Sequence, residues 1–238
     1  MPREKISSRG EEYEVVYSEE TWNLLREKRE QAMKLMKCLQ GLVDPIIHGS
    51  VARGDVHAKS DIDIVVLYPV YSYSIEIRLE SCGYKVYNRK IVMATPNHVP
   101  KAYIVLHPDE LVQVSFPLAR LRQREIEFYY FGGALSLTEL EASKRVPGVN
   151  KRLELIIPTP RGHLAKNVIG MEEWVAKLLN ISVETVLERV RVLTRRDNIG
   201  RTGVYLELDV PPDKSIEEVL IEESHKDPSI RKMLEERG

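Results

Sequence analysis

The sequence predicts an α/β protein of the α+β kind, a mixed sheet with helices followed by a small helical module. Three observations predict it. Apolar runs with strand alternation and apolar runs with helical spacing succeed each other through the first 130 or so residues. A small-residue turn, Gly49-Ser50, lies between two of those runs, and a pair of aspartates heads the second. Beyond residue 161, two helical patterns are separated by the short break Ile181-Ser182.

The elements follow in order. Residues 1–10 read as disordered, and Glu12 to Tyr17 as a short edge strand. Ser18 suits an N-cap, and Glu19 and Glu20 favour a first helical turn. Trp22, Leu25, Ala32, Met33, Met36 and Leu39 then share one side, so the spacing predicts a helix over 19–40 that ends at Gly41. A strand carries Ile46 and Ile47, and after the Gly-Ser turn another runs from Asp61 to Tyr68, where Pro69 stops it. A helix is expected near 73–82 and a strand over Tyr84–Ala94. Tyr103–Leu106 and Leu111–Phe116 pair as a hairpin around His107-Pro108-Asp109-Glu110. A helix near 118–130 ends at Gly132-Gly133. Residues 133–160 read as a connecting segment with one helix and one strand, Leu153–Ile157. Helices over 171–180 and 183–193 and a strand over Val204–Val210 follow. Two acidic helices close the chain, 215–224 and 228–236, the last with Asp227 as cap and Pro228 at its first position. The domains expected are therefore 1–132, 133–160, 161–212 and 213–238.

Composition limits the function classes. With 238 residues and 43% hydrophobic content, the chain has ample material for a core. No apolar run has the length of a membrane span, and Met1-Pro2-Arg3-Glu4-Lys5 is not followed by a signal-peptide core. Cys38 and Cys82 are too few and too isolated for a disulfide framework or a zinc cluster, so a reducing cytoplasm is the expected location. The net charge of −1 hides an asymmetry. Residues 143–203 hold twelve Lys and Arg against six Asp and Glu, whereas 204–238 hold five against ten. A basic block suggests a polyanion-facing surface, although solvated faces of a charge-rich protein read the same way.

The chemistry concentrates in residues 49–67. Asp61 and Asp63 stand at i and i+2 on a strand, so both point to one face. Two like charges so close repel, and a shared divalent cation relieves the repulsion. Hard carboxylate oxygens suit Mg²⁺, which takes one or two protein carboxylates and completes its shell with substrate phosphates. Gly49 permits close backbone approach to a phosphate, and Ser50 offers a hydroxyl and an N–H. No Gly-Lys-Ser/Thr follows the turn, so it is not a P-loop.

An apolar strand, Gly-Ser, ten intervening residues and Asp-x-Asp at the head of the next strand resemble the signature of the DNA polymerase β nucleotidyltransferase superfamily. Gly49, Ser50, Arg53, Gly54, Ser60, Asp61 and Asp63 fall where that signature wants them. The resemblance implies a small palm domain, Asp61 and Asp63 as catalytic metal ligands, and Mg²⁺ or Mn²⁺ as the cation. Gly49 and Ser50 would cradle the phosphates of an NTP substrate such as ATP. Arg53 would either pair with phosphate or form a salt bridge on the helix after the turn. A third carboxylate usually stands on a later strand. The matching position here is Gln113, whose neutral amide lacks the basicity to deprotonate a hydroxyl. Asp109, Glu110, Glu125 and Glu127 are the alternatives.

Ala176 to Val186 resembles a helix-turn-helix of bacterial and archaeal regulators, and Arg195 to Gly203 leading into the next strand looks like a wing. A winged helix would offer Arg189, Arg191, Arg195, Arg196 and Arg201 to nucleic acid. Helical hairpins of this type also serve purely for packing. Two functions are thus expected to compete. One is transfer of a nucleoside monophosphate to a hydroxyl; the other is a catalytically weak or inactive nucleotide- or nucleic-acid-binding module. A scaffold role through a protein partner is a third, with no sequence feature of its own.

Overall fold

The computed structural model describes residues 5–7, 12–200 and 203–238. Most of the segment expected to be disordered, and Arg201, lie outside the described residues. Residues 5–7 are tied down: the Ser7 N–H donates to the Arg152 carbonyl at 3.0 Å, and the Asn167 side chain donates to the Ser7 carbonyl at 2.7 Å.

In chain order the elements are β1 (Tyr13–Val16), α1 (Glu19–Leu39), β2 (Ile46–His48), α2 (Ser50–Arg53), β3 (Ile62–Val65), α3 (Ser72–Ser81), β4 (Asn88–Met93), β5 (Lys101–Val105), β6 (Val112–Pro117), α4 (Gln123–Phe131) and β7 (Ala134–Ser136). There follow α5 (Leu137–Glu141), β8 (Gly148–Val149), β9 (Glu154–Thr159), β10 (Gly162–Asn167), α6 (Glu172–Leu179), α7 (Val183–Ile199), β11 (Leu206–Asp209), α8 (Ile216–Lys226) and α9 (Pro228–Arg237). The fold is mixed α/β, as the sequence predicts. Contacts divide the chain into two interleaved compact units. Unit 1 holds residues 1–31, 47–60 and 123–202, and unit 2 holds 32–46, 61–122 and 203–238. The linear domains expected from the sequence do not coincide with these units, because strands distant in the chain pair with one another.

In unit 2 the strands run β11-β4-β5-β6-β3. β3 and β6 are parallel, and the other pairs are antiparallel. Residues alternate between the two faces with a period of two. One face carries the buried Ile62, Ile64, Val114, Ile104, Ile91 and Met93. The register puts Asp63, Gln113, Ser115, Tyr103 and Lys90 on the other face. The expected wing strand is corrected here. β11 pairs antiparallel with β4 along that sheet, because Leu206 and Leu208 alternate in step with Met93 and Ile91. The last two helices stand as expected, with Asp227 accepting from the Ser229 N–H at 2.7 Å.

In unit 1 the antiparallel order is β1-β10-β9-β8. The edge strand expected at 12–17 is β1. The connecting segment holds the expected helix and strand as α5 and β9, and adds β7 and β8. Ser18 caps α1 by accepting from the Thr21 N–H at 3.3 Å. Helices α6 and α7 pack through Val175, Ala176, Val186 and Leu193 onto Phe131, Val149, Leu153 and Leu155. The sequence points to Trp174, Leu178, Val186, Leu187, Val190 and Val204 as the core of this module; Val186 is buried and Val190 packs against it, whereas the other four are exposed. On α6 the buried residues are Val175 and Ala176, one position round from Trp174. Because residues 131–155 close that core, residues 161–212 are not expected to fold in isolation. α7 also runs on to Ile199, so Arg195 and Arg196 sit on a helix rather than in a turn. The Glu127 carboxylate on α4 fixes the start of α7. It accepts from the Ser182 N–H at 3.2 Å, the Thr185 hydroxyl at 2.5 Å and the Ser182 hydroxyl. Burial raises its pKa, but these donors together lower it further.

No described helix is long and apolar enough to cross a membrane. The reading of Cys38 and Cys82 as isolated is corrected. They are 44 residues apart in sequence, yet the end of α1 and the C-cap of α3 bring their Cα atoms to 6.1 Å, and they form a disulfide. Closing a loop of that length restricts the unfolded chain by about 4 kcal/mol on the chain-entropy argument. Cys38→Ser, or reduction of the wild type, is therefore expected to lower the unfolding free energy by up to about 4 kcal/mol. Urea denaturation with and without reductant measures this, and the Cys38→Ser variant is expected to be indifferent to reductant.

Candidate functional site

The Gly49-Ser50 turn belongs to unit 1. Gly49 has φ 86°, in the left-handed region that a residue with a Cβ rarely adopts. A Cβ there would meet nothing within 4 Å, so the turn faces open space. The Gly49 N–H donates to the Gly133 carbonyl at 2.9 Å. The helix it starts, α2, has four residues and is too short to satisfy its own carbonyls. Buried cations do that instead. Arg29 of α1 donates from Nε to the Val51 carbonyl and from Nη2 to the Ala52 carbonyl, both at 3.0 Å. Lys28 donates to the Ser60 carbonyl at 2.7 Å. Burial, and then Arg145, pushes the Arg29 guanidinium down to about 10, so it stays charged at neutral pH.

Arg53 is buried and fully engaged. Its Nε and Nη2 meet the two oxygens of Asp55, each at 2.9 Å, and its Nη1 donates to the Gly132 carbonyl. The salt-bridge reading of this residue is the one the structure shows. His48, just before the turn, donates from Nδ1 to the Tyr129 carbonyl at 3.0 Å and packs on Phe128 with ring centroids 5.6 Å apart.

The aspartates belong to unit 2. Asp61 is half-buried just before β3, and Asp63 lies within it. Gln113 is directly opposite Asp63 in the parallel register and donates its amide to Asp63 Oδ1 at 2.5 Å. Tyr103 is on the same face. Burial first, then the Asp63 carboxylate, pushes its phenol up to about 12, so it remains a neutral donor across the ordinary pH range. The substitute carboxylates weighed from the sequence have other work. Asp109 accepts from His107 and from the Leu111 N–H in an exposed turn. Glu110 pairs with Lys90 at 2.8 Å, and Glu127 caps α7. Glu125 is buried on α4 in unit 1.

Among the described residues no group of three or more His, Cys, Asp or Glu is gathered as a metal cage. Two carboxylates on one strand face, one with an oxygen held by an amide, still fit Mg²⁺. That ion takes one or two protein carboxylates and draws its other ligands from phosphates and water.

Of the arginines read as nucleic-acid contacts, Arg191, Arg195 and Arg196 are exposed on α7. Arg189 is half-buried over the Phe128 ring. The sequence reading missed Lys28, Arg29 and Asp55, because charged residues on an amphipathic helix or in a loop read as solvated. It also missed Tyr103, which the alternation of the predicted hairpin would have placed on the Gln113 face.

Comparison with known proteins gives this geometry its class. Residues 29–130 match the nucleotidyltransferase domain family. That stretch is thus similar to a nucleotidyltransferase domain, the class that the motif resembles. Solved structures are similar as well. One is the polymerase core of TRAMP, described as an RNA surveillance complex, at 17% identity and TM-score 0.29. The match covers 49% of this chain and 38% of that one, so this chain spans well under half its length. Another is a GLD-2/RNP-8 complex, at 15% identity and TM-score 0.30, covering 92% of this chain and 72% of that one. No curated protein sequence matches.

The engagement of Arg53 generates a test of its role. Arg53→Met would leave Asp55 buried without a partner and is expected to cost roughly 3–5 kcal/mol of stability. Adding Asp55→Leu is expected to restore most of it. Urea midpoints of the single and double variants measure both effects.

Proposed function

We propose that this chain is a metal-dependent nucleotidyltransferase with a slow chemical step. It would move a nucleoside monophosphate from an NTP, ATP the simplest case, to a hydroxyl acceptor. The observation that carries this reading is the Asp61/Asp63 pair at the head of β3, in a domain of matching family. Asp61 and Asp63 would hold the Mg²⁺ or Mn²⁺ that arrives with the triphosphate. The cation, when bound, supplies charge neutralisation at the phosphate being attacked and at the departing pyrophosphate. Ser50 would take phosphate oxygens through its backbone N–H and hydroxyl, and Gly49, whose own N–H is held by the Gly133 carbonyl, would let the chain approach them closely. Gln113 holds Asp63 in orientation but cannot accept the proton of the attacking hydroxyl. With no base there, the acceptor's proton goes to water, and transfer is slow.

The weak or purely binding form of the protein is favoured by that same Gln113 contact. Nucleic acid as acceptor or partner rests on Arg191, Arg195 and Arg196, exposed on α7. Of residues 161–212, the helix pair α6 and α7 carries this proposal, with Arg201 as a fifth basic residue. Cytoplasmic residence is part of the same reading, and in a reducing compartment Cys38 and Cys82 stand as thiols.

Calorimetry with Mg·ATP tests the site. Asp61→Ala and Asp63→Ala are each expected to weaken binding by at least about 1.4 kcal/mol, or tenfold. Equal affinity in wild type and both variants would remove the aspartates from the site. Gln113→Asp is expected to raise turnover with labelled ATP and mixed RNA. Brisk wild-type transfer that this change leaves untouched would show that another group is the base. For the basic helix, removing Arg195 and Arg196 is expected to lower the salt slope of duplex binding by up to about two units. Binding without salt dependence would refute backbone contact.

A further inference from the structure

Arg189 has surroundings that neither packing nor nucleic-acid binding accounts for. Its guanidinium lies over the Phe128 ring, 4.9 Å from the centroid. Phe128 packs in turn on His48, 5.6 Å between centroids. His48 is the residue before Gly49, and Arg189, Phe128, His48, Gly49 and Ser50 all belong to unit 1. A chain of ring contacts thus runs from the phosphate turn to this arginine.

The electrostatics are unbalanced. Arg189 Nε is buried and has no hydrogen-bond partner among the described residues. The adjacent carboxylate, Glu188, faces Arg124 at 3.9 Å. Burial, followed by the positive charge of Arg196, pushes the Arg189 guanidinium down to about 10, and Glu188 offsets this only in part. At neutral pH it is still a cation. A cation partly withdrawn from water, with Glu188 alone to offset it, gains from an incoming anion. A planar guanidinium with unused donors is suited to a phosphate oxygen.

We propose that Arg189 is an anion subsite for the phosphate chain of the nucleotide, set on the Phe128–His48 ring stack beside the Gly49-Ser50 turn. This rests on the reading of that turn as a nucleotide site. A nucleotide is favoured over a nucleic-acid backbone because the ring contacts lead to Gly49. The arginines that a duplex would meet are the exposed Arg191 and Arg195. Cation–π contact with Phe128 holds the guanidinium in place without using a hydrogen-bond donor.

The test uses the full-length protein and inorganic tripolyphosphate in metal-free buffer, followed by calorimetry. Wild type is expected to bind. Arg189→Gln is expected to bind at least tenfold more weakly, and Arg189→Lys to fall between, keeping the charge without the planar fork. Lys177→Gln, an exposed charge on α6, is expected to match wild type. Arg189 makes no hydrogen bond that the fold would lose, and thermal melts of the variants verify folding. The proposal is overturned if wild type does not bind tripolyphosphate or if Arg189→Gln binds it as tightly as wild type. It is also overturned if Arg189→Gln loses affinity for a duplex oligonucleotide alone. Asp61→Ala separates this proposal from the transferase reading. It is expected to leave metal-free tripolyphosphate binding intact while weakening Mg·ATP. If Asp61→Ala leaves Mg·ATP unchanged, the transferase reading fails and the Arg189 result is judged separately.

Discussion

A four-residue helix cannot stand by itself, and in unit 1 everything around the Gly49 turn is arranged to hold one. α2 has no room for a ladder of its own, so its carbonyls must find donors elsewhere. Arg29 supplies two of them from α1. At the far end Arg53 ties the segment to Asp55 and to the Gly132 carbonyl. Using buried guanidinium groups for this is expensive in desolvation, and it works because each has fixed acceptors on arrival. The gain is a glycine turn held from behind and open in front, the geometry that a phosphate requires.

Unit 2 meets a different constraint. Strand alternation gives the sheet one apolar face and one polar face, and the aspartates fall on the polar one by register alone. Placing Gln113 beside Asp63 lowers the charge of that face relative to a third carboxylate. Like-charge repulsion is thereby reduced in the metal-free protein, but so is the basicity at the point where an acceptor would lose its proton. Tyr103 lies on the same face, its phenol kept neutral by burial and by the Asp63 carboxylate.

The sequence made the local features legible. The Ser18 cap, the Gly49 turn, the run from β3 to β6 and the Asp227-Pro228 start of α9 all follow from residue chemistry within a few positions. The Gln113 position was readable too, because the hairpin register is set by alternation. What escaped depended on distant pairing. β1 with β10, β11 with β4, and Cys38 with Cys82 join residues that no local pattern connects. The face of α6 and α7 was misread because Trp174, Leu178 and Leu187 look like core by hydrophobicity. Val175 and Ala176 instead join the expected Val186 in the core with Phe131 and Leu155. Buried cations escaped for the opposite reason: an arginine on an amphipathic helix carries no mark to show that its partners are carbonyls.

The disulfide has a topological effect on the motif. Cys38 and Cys82 bracket Gly49, Ser50, Asp61 and Asp63, so the whole signature lies inside one covalent ring. A protease cutting anywhere between the two cysteines would open the ring without releasing either piece. Both halves of the signature would travel as one molecule on a non-reducing gel and separate only after reduction. A nicked chain could therefore keep its two motif halves tethered for reassembly, a protection that ends wherever thiols are kept free.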